Sequence, residues 1–214
     1  MHCAARPFRA TLVLTLVLAC VTPSLAIERN ATVQDTYASV MRTINPKLPE
    51  YKSLAYASAL LTDARRLHVD PTLMMAVVTV ESHWDSGAVS PHGAEGLGQL
   101  KPGTARDLGV NPRSASGNLR GLALYLHHLI ALFSAAREPM RSAIAGYNAG
   151  PYAVQSSGGI PPNGETRRYV GKVMSAWQSV RAQLGEAATL SADPTESEIA
   201  RAVERAQDSY WNAP

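Results

Sequence analysis

The chain has 214 residues, of which 46% are hydrophobic and 17% charged, with a formal net charge of +3. That length holds one ordinary domain with a sizeable core and leaves little room for a second. The low charge, with no run of Lys and Arg interleaved with aromatics, excludes a basic nucleic-acid-binding surface.

Residues 1–26 carry the three parts of a secretory leader. Arg6 and Arg9 supply the positive start, Ala10 to Ala19 the apolar stretch, and Ser24-Leu25-Ala26 a small-x-small cleavage site. The apolar run is too short to span a bilayer, which takes ~20 residues, and Pro23 closes it. Export to the periplasm with cleavage after Ala26 is therefore expected. Val17-Leu18-Ala19-Cys20 resembles a lipobox, so a lipid anchor at Cys20 stays open as a second route. Both cysteines, Cys3 and Cys20, fall in the leader. The remainder has no thiol and must hold together by its apolar core. Losing Arg6 and Arg9 lowers the net charge from +3 to +1.

After an N-terminal segment at 27–51, helical periodicity dominates. Lys52 to His68 places Leu54, Ala57, Leu60, Leu61, Ala64 and Leu67 along one stripe. Asp70 reads as an N-cap with Pro71 at the first helical position, opening a helix through Val80 that is apolar on nearly every side. Such a helix belongs at the centre of a core. From His83 to Gly103 glycines and prolines break the pattern into a loop with room for short strands. A short helix follows at Thr104 to Leu108. Asn118 to Phe133 is the clearest amphipathic helix, with Leu119, Leu122, Leu126, Leu129, Ile130 and Phe133 on one face. Pro139 to Tyr147 and Thr166 to Leu184 are two more helices, separated by a loop rich in Gly and Pro. Past Gly185 the composition turns to Ala, Glu, Ser and Asp, and Asp193-Pro194 opens an accessory helix with Ile199, Val203, Ala206 and Tyr210 in a narrow stripe. The expected organisation is thus a leader at 1–26, a segment at 27–51, a mainly α domain at 52–185, and a linker with its accessory helix at 186–214.

Glu81 stands out because it ends the apolar helix. Its carboxylate faces the negative end of the helix dipole, and the surrounding core withholds water; both effects raise a carboxyl pKa. A carboxyl that keeps its proton near neutrality is what a general acid requires. Taken alone, a Glu after a helix is commonly a surface residue, so its neighbourhood decides.

That neighbourhood runs Glu81-Ser82, Ala88-Val89-Ser90, Gly93-Ala94-Glu95-Gly96-Leu97-Gly98-Gln99 and Pro102-Gly103-Thr104-Ala105. Further on come Asn118-Leu119-Arg120-Gly121 with Tyr125-Leu126, then Ala145-Gly146-Tyr147-Asn148-Ala149-Gly150-Pro151, then Glu165-Thr166-Arg167-Arg168-Tyr169-Val170. In type and order these blocks resemble the soluble lytic transglycosylase family, over about Tyr56 to Met174. The resemblance implies a lysozyme-like fold with a catalytic groove and cleavage of the β-1,4 bond between N-acetylmuramic acid and N-acetylglucosamine in peptidoglycan, leaving 1,6-anhydro ends.

By position in the blocks, Glu81 is the implied catalytic residue, acting as acid and then as base, with the substrate's own 2-acetamido group in place of a second carboxylate. Ser90, Gln99, Tyr147, Asn148 and Tyr169 are the implied substrate-binding and supporting residues, and the resemblance implies that the Tyr169 phenol lies near Glu81 and helps to set its protonation. Asp85 and Glu95, the nearest other carboxylates, read as turn and surface residues. Gly98 departs from the family's usual Met, which puts the shape of the sugar subsites in doubt.

His127 and His128 are adjacent and face different sides of a helix, with no third ligand spaced to join them. No metal or other cofactor is expected. The expected partner is the peptidoglycan glycan strand, met by a monomer; the C-terminal helix is a candidate dock for a cell-wall or secretion-apparatus protein. Two alternatives remain at this stage: a lysozyme-type hydrolase on the same fold, and an accessory factor that opens the wall for a secretion or conjugation apparatus.

Overall fold

A computed structural model describes residues 23–191, with side chains over 33–187. The expected leader as far as residue 22, including Cys20, and the expected accessory helix after Asp193-Pro194 lie outside the described residues. The helices are α1 (Pro23–Ile44), α2 (Glu50–Leu67), α3 (Pro71–Glu81), α4 (Pro102–Asp107), α5 (Ala115–Leu132), α6 (Pro139–Ala149), α7 (Pro151–Ser156) and α8 (Gly164–Ser191). The fold is mainly α and forms one helical domain. Extended structure is limited, among the described residues, to the isolated antiparallel bridges Val89↔Glu95 and Glu95↔Leu100. They lie in the segment after α3 that had room for short strands.

The centre is α3. Leu73, Met74, Met75, Ala76, Val77 and Val78 are each 0% exposed, so this helix needs no apolar stripe because every side of it meets protein. Full burial contributes roughly 1.5–3 kcal/mol for each large apolar side chain, which fixes where α3 ends. Its start is set by Asp70, whose Oδ1 accepts from the backbone N–H of Thr72 at 2.7 Å and from its hydroxyl at 2.6 Å.

Helix α8 packs along α3 and is bonded to it at both ends. Trp177 Nε1 donates to Thr72 Oγ1 at 2.7 Å, and the Tyr169 hydroxyl donates to Glu81 Oε1 at 2.6 Å. The pairings 72 with 177 and 81 with 169 make the two helices antiparallel. Around them α2 packs on α5, α5 on α6, and α6 on α7 and α8.

Two helices were not legible beforehand. The segment set apart at 27–51 is largely α1, which packs on α2 and α8 and places Ala38, Val40 and Met41 in the common core. Its first half carries Glu28, Arg29, Asn30, Thr32, Gln34 and Asp35, too polar to show a stripe. Helix α7 is a six-residue element opened by Pro151 within the stretch read as loop. Downstream, α8 runs on to Ser191, past the composition change after Gly185.

Candidate active site

The chain leaves α3 in a tight reversal. Ser82 caps the helix through its N–H to the Val78 carbonyl, and His83 and Trp84 follow with φ of 51° and 67°. Two consecutive residues with side chains in the left-handed region carry strain, of order 1–3 kcal/mol each. Burial offsets it: Trp84 is 1% exposed, stacks on Tyr56 with ring centroids 6.4 Å apart, and donates to Thr79 Oγ1 at 3.3 Å. Asn45 Nδ2, just after α1, donates to the His83 carbonyl at 2.9 Å and holds the reversal from the other side. The result is a carboxyl at a fixed point beneath a sharp turn.

Burial pushes the Glu81 carboxyl up to about 7, while the hydrogen bond from Tyr169 acts in the lowering direction without overcoming it. The Tyr169 and Tyr147 phenols are in turn held well above the usual range, first by burial and then by the charge on Glu81. Both remain neutral donors at any pH at which the fold works. Tyr147 gives its hydroxyl proton to the Gly98 carbonyl at 2.7 Å and packs against Tyr125 with centroids 5.2 Å apart.

Around Glu81 the structure therefore gathers Tyr147 and Tyr169, and Asn148 joins them through α8. Asn148 Oδ1 accepts from Thr166 Oγ1 at 2.9 Å, one helical turn before Tyr169. Gln99 reaches the group through its neighbour Gly98, but both amide N–H groups of its side chain are engaged by the loop, with Ala88 O and Gly96 O each at 3.0 Å. Ser90 makes its bonds within its own turn: Oγ accepts from the Ala94 N–H at 3.0 Å, and its backbone carbonyl accepts from Gly93. No bond joins Ser90 to Glu81.

The other carboxylates of the loop are occupied. Asp85 Oδ1 accepts from the Gly87 N–H at 2.8 Å, an Asx turn. Glu95 pairs with Arg113 at 3.2 Å. Among the described residues no cluster of three His, Cys, Asp or Glu side chains could hold a metal, and no helix is long and apolar enough to cross a membrane.

Sequence reasoning passed over Asn118 as a site residue. Its side chain is completely buried on α5, where Oδ1 accepts from the Gly98 N–H at 2.6 Å and Nδ2 donates to the carbonyls of Glu95 at 2.7 Å and Pro112 at 2.8 Å. One amide thus satisfies three backbone groups of the loops beside Glu81. The available signal was its place beside Leu119 at the start of the apolar face of α5. Gly98 is also clearer in space. A Cβ there would sit 3.0 Å from the Tyr147 hydroxyl and 3.3 Å from both Asn118 Oδ1 and Leu122 Cβ. A side chain at 98 would begin by growing toward α5 and α6.

A family model described as the transglycosylase SLT domain matches residues 59–170. The chain belongs to this family. Among relatives of this family, the chain is 38% identical over 94 residues to membrane-bound lytic murein transglycosylase F of Serratia proteamaculans, covering 42% of this chain and 18% of that protein. It is 35% identical over 116 residues to the protein of the same description in Cronobacter sakazakii, covering 52% and 21%. The chain thus spans about a fifth of the length of these curated relatives. Solved family structures agree in fold. The 70 kDa soluble lytic transglycosylase of Escherichia coli superposes with a TM-score of 0.56 at 27% identity, over 73% of this chain and 30% of that one. An inactive glutamate-to-glutamine mutant of lytic transglycosylase Slt from Pseudomonas aeruginosa gives 0.52 at 25%, over 69% and 30%.

Proposed function

We propose that this chain is an exported peptidoglycan lytic transglycosylase. The observation that carries the reading is Glu81: a single carboxyl at the end of a buried helix, raised to about 7 and bonded to a neutral phenol at 2.6 Å. Such a group holds a proton at neutral pH and can give it to the glycosidic oxygen between N-acetylmuramic acid and N-acetylglucosamine. The C1–O bond breaks as the proton arrives. The substrate's 2-acetamido oxygen then stabilises the positive charge at C1, work that a second carboxylate does in two-carboxylate glycosidases. Glu81, now ionised, takes the proton of the muramic C6 hydroxyl, whose oxygen bonds to C1 and closes the 1,6-anhydro ring. Glu81 ends protonated and no water is consumed.

Tyr169 fixes the carboxyl by its hydrogen bond. Tyr147 holds the loop that carries Gln99, and Asn148, Gln99 and Ser90 offer polar groups to the sugar substituents. Support for a lyase over a hydrolase comes from Asp85 and Glu95, which are engaged in a turn and an ion pair. The relatives and solved structures are described as lytic transglycosylases, which supports the same reading. Export by the 1–26 leader, action as a monomer, a boundary between the 52–185 domain and the 186–214 tail, and docking of a wall or secretion-apparatus protein on the C-terminal helix belong to the same proposal.

The test is digestion of purified sacculi by the leaderless chain, with the released muropeptides weighed. Ends lighter by one water than hydrolytic ends are expected. Reducing ends would assign the chain to the lysozyme-type alternative instead.

A further inference from the structure

Helix α1 precedes the residues that match the family domain, yet it reaches both ends of α3. At the start of α3, the carboxylate of the N-cap Asp70 adds to burial in holding the Tyr37 phenol above its ordinary range. Past the end of α3, Asn45 Nδ2 donates to the His83 carbonyl at 2.9 Å, two residues after Glu81. The pairings 37 with 70 and 45 with 83 run the two helices in the same direction. Along its length α1 is fastened to α2: Arg42 Nη1 donates to the hydroxyl of the fully buried Ser53 at 2.9 Å, and Gln34 Nε2 to the Leu54 carbonyl at 3.1 Å.

Asn45 is itself held firmly. Its N–H donates to the Met41 carbonyl at 2.9 Å, its carbonyl accepts from the Leu48 N–H at 2.9 Å, and Oδ1 accepts from the Lys47 N–H at 3.0 Å. Three bonds fix the backbone and the plane of the amide, so Nδ2 is aimed before it meets His83. The carbonyl it meets belongs to a reversal in which His83 and Trp84 both have positive φ, a shape that side chains disfavour and that persists only where its surroundings impose it. The same reversal lies over Glu81. The titratable groups that act on that carboxyl, Tyr169 from α8 and Tyr147 from α6, are neutral phenols. Its proton affinity therefore depends on how completely the surrounding backbone keeps water out.

We propose that Asn45 is a positioning residue for Glu81: by holding the His83 carbonyl it fixes the reversal over the carboxyl, and so makes α1 part of the active-site machinery. The proposal rests on the reading of Glu81 as the acid. The leaderless chain is compared with Asn45→Ala and with a control, Gln34→Ala, which removes a bond between α1 and α2 away from the reversal. On sacculi, Asn45→Ala is expected to lower kcat about tenfold with KM unchanged, because a misplaced acid loses rate without losing substrate. The alkaline limb of its kcat/KM profile should move to lower pH as water returns to the carboxyl. Gln34→Ala should leave both in place. Parent values in Asn45→Ala, or an equal change in Gln34→Ala, would overturn the proposal. If Asn45→Ala does not fold by circular dichroism, Asn45→Asp keeps the acceptor for the Lys47 N–H and removes only the donor; a kcat equal to the parent's would overturn the proposal there too.

A second readout needs no cleavage. The Glu81 carboxyl is titrated by NMR in the chain carrying 13C-labelled glutamate, its signal assigned through Glu81→Gln. The parent midpoint is expected at about 7, and that of Asn45→Ala about one pH unit lower. An unmoved midpoint would overturn the proposal. If the parent releases no glycan and the midpoint still moves, the proposed activity has failed and the positioning role of Asn45 stands.

Discussion

Two walls meet at Glu81: a helical wall of α3 packed on α8, and a loop wall from His83 to Lys101 that reaches the carboxyl through Tyr147. The helical wall is held by apolar contact along its whole length, with one polar bond at each end. The loop wall contributes few buried side chains, notably Trp84, Leu97 and Leu100, and hangs on side chains that bond its backbone: Asn118, Tyr147 and Gln99. Packing on the first side therefore sets the proton affinity of Glu81, because dehydration is the largest influence on it. Hydrogen bonding on the second side sets the shape presented to a substrate. A protein can vary the second without disturbing the first.

The strongest break of this division is Glu81→Gln. It keeps the shape of the helical wall and removes the proton, so glycan release from sacculi is expected to fall by about 10³-fold, with the far-UV circular dichroism unchanged. Residual release near the parent level would unseat Glu81.

On the loop wall the expected loss is of stability. Asn118→Leu leaves the Gly98 N–H and the Pro112 carbonyl without partners, at roughly 1–3 kcal/mol for each, while the Glu95 carbonyl keeps its bond from the Leu100 N–H. Gly96→Ala adds a Cβ 2.5 Å from Asn118 Nδ2 and 2.8 Å from the Pro112 carbonyl, at a φ of +74°. Each variant is expected to lose about 3 kcal/mol in urea denaturation. A loss below about 0.5 kcal/mol, the range of ordinary surface changes, would mean the loop is held by something else.

The pH profile tests whether dehydration governs Glu81. With its carboxyl at about 7, kcat/KM should fall about tenfold per pH unit above that value, since the acid must be protonated in the free enzyme. Tyr169 acts to lower the Glu81 pKa, so Tyr169→Phe should move the alkaline limb to higher pH. A limb that moves to lower pH would show that Tyr169 stabilises the protonated acid instead.

The smallest effect is on stability at the same residue. Folding raises the Glu81 pKa from 4.5 to about 7, so the folded form binds the proton more tightly than the unfolded one. Stability linked to this group is highest below pH 4.5, declines as pH rises toward 7, and is flat above. After allowance for partial solvent screening, Glu81→Gln should stabilise the chain by roughly 1–2 kcal/mol at pH 8 and far less at pH 4. Thermal melts at the two pH values measure the difference, and an equal shift at both would refute the linkage.

Legibility followed the same line. The Asp70-Pro71 start of α3, its all-round apolar character and the stripe of α5 could be read directly, because periodicity and caps are local. The family resemblance already implied that the Tyr169 phenol lies near Glu81, 88 residues earlier, and the structure gives that approach its form, a 2.6 Å hydrogen bond. Ser90 and Gln99 were expected to face substrate, yet much of their bonding capacity serves the loop itself. Asn118 was quoted within a block and its work was missed, since nothing local says that one amide will meet Gly98, Glu95 and Pro112.

The strongly periodic helices, the family, and the carboxyl that ends a buried helix were legible from residue order. These follow from side-chain order along one segment. The packed fold alone shows that Glu81 is dehydrated enough to hold a proton near neutrality, that Asn118 pins the loop opposite, and that three arginines from α6, α8 and the turn between α5 and α6 share one depression. Each of those depends on how far water is excluded, or on which distant groups meet, and such quantities exist only after the segments have packed together.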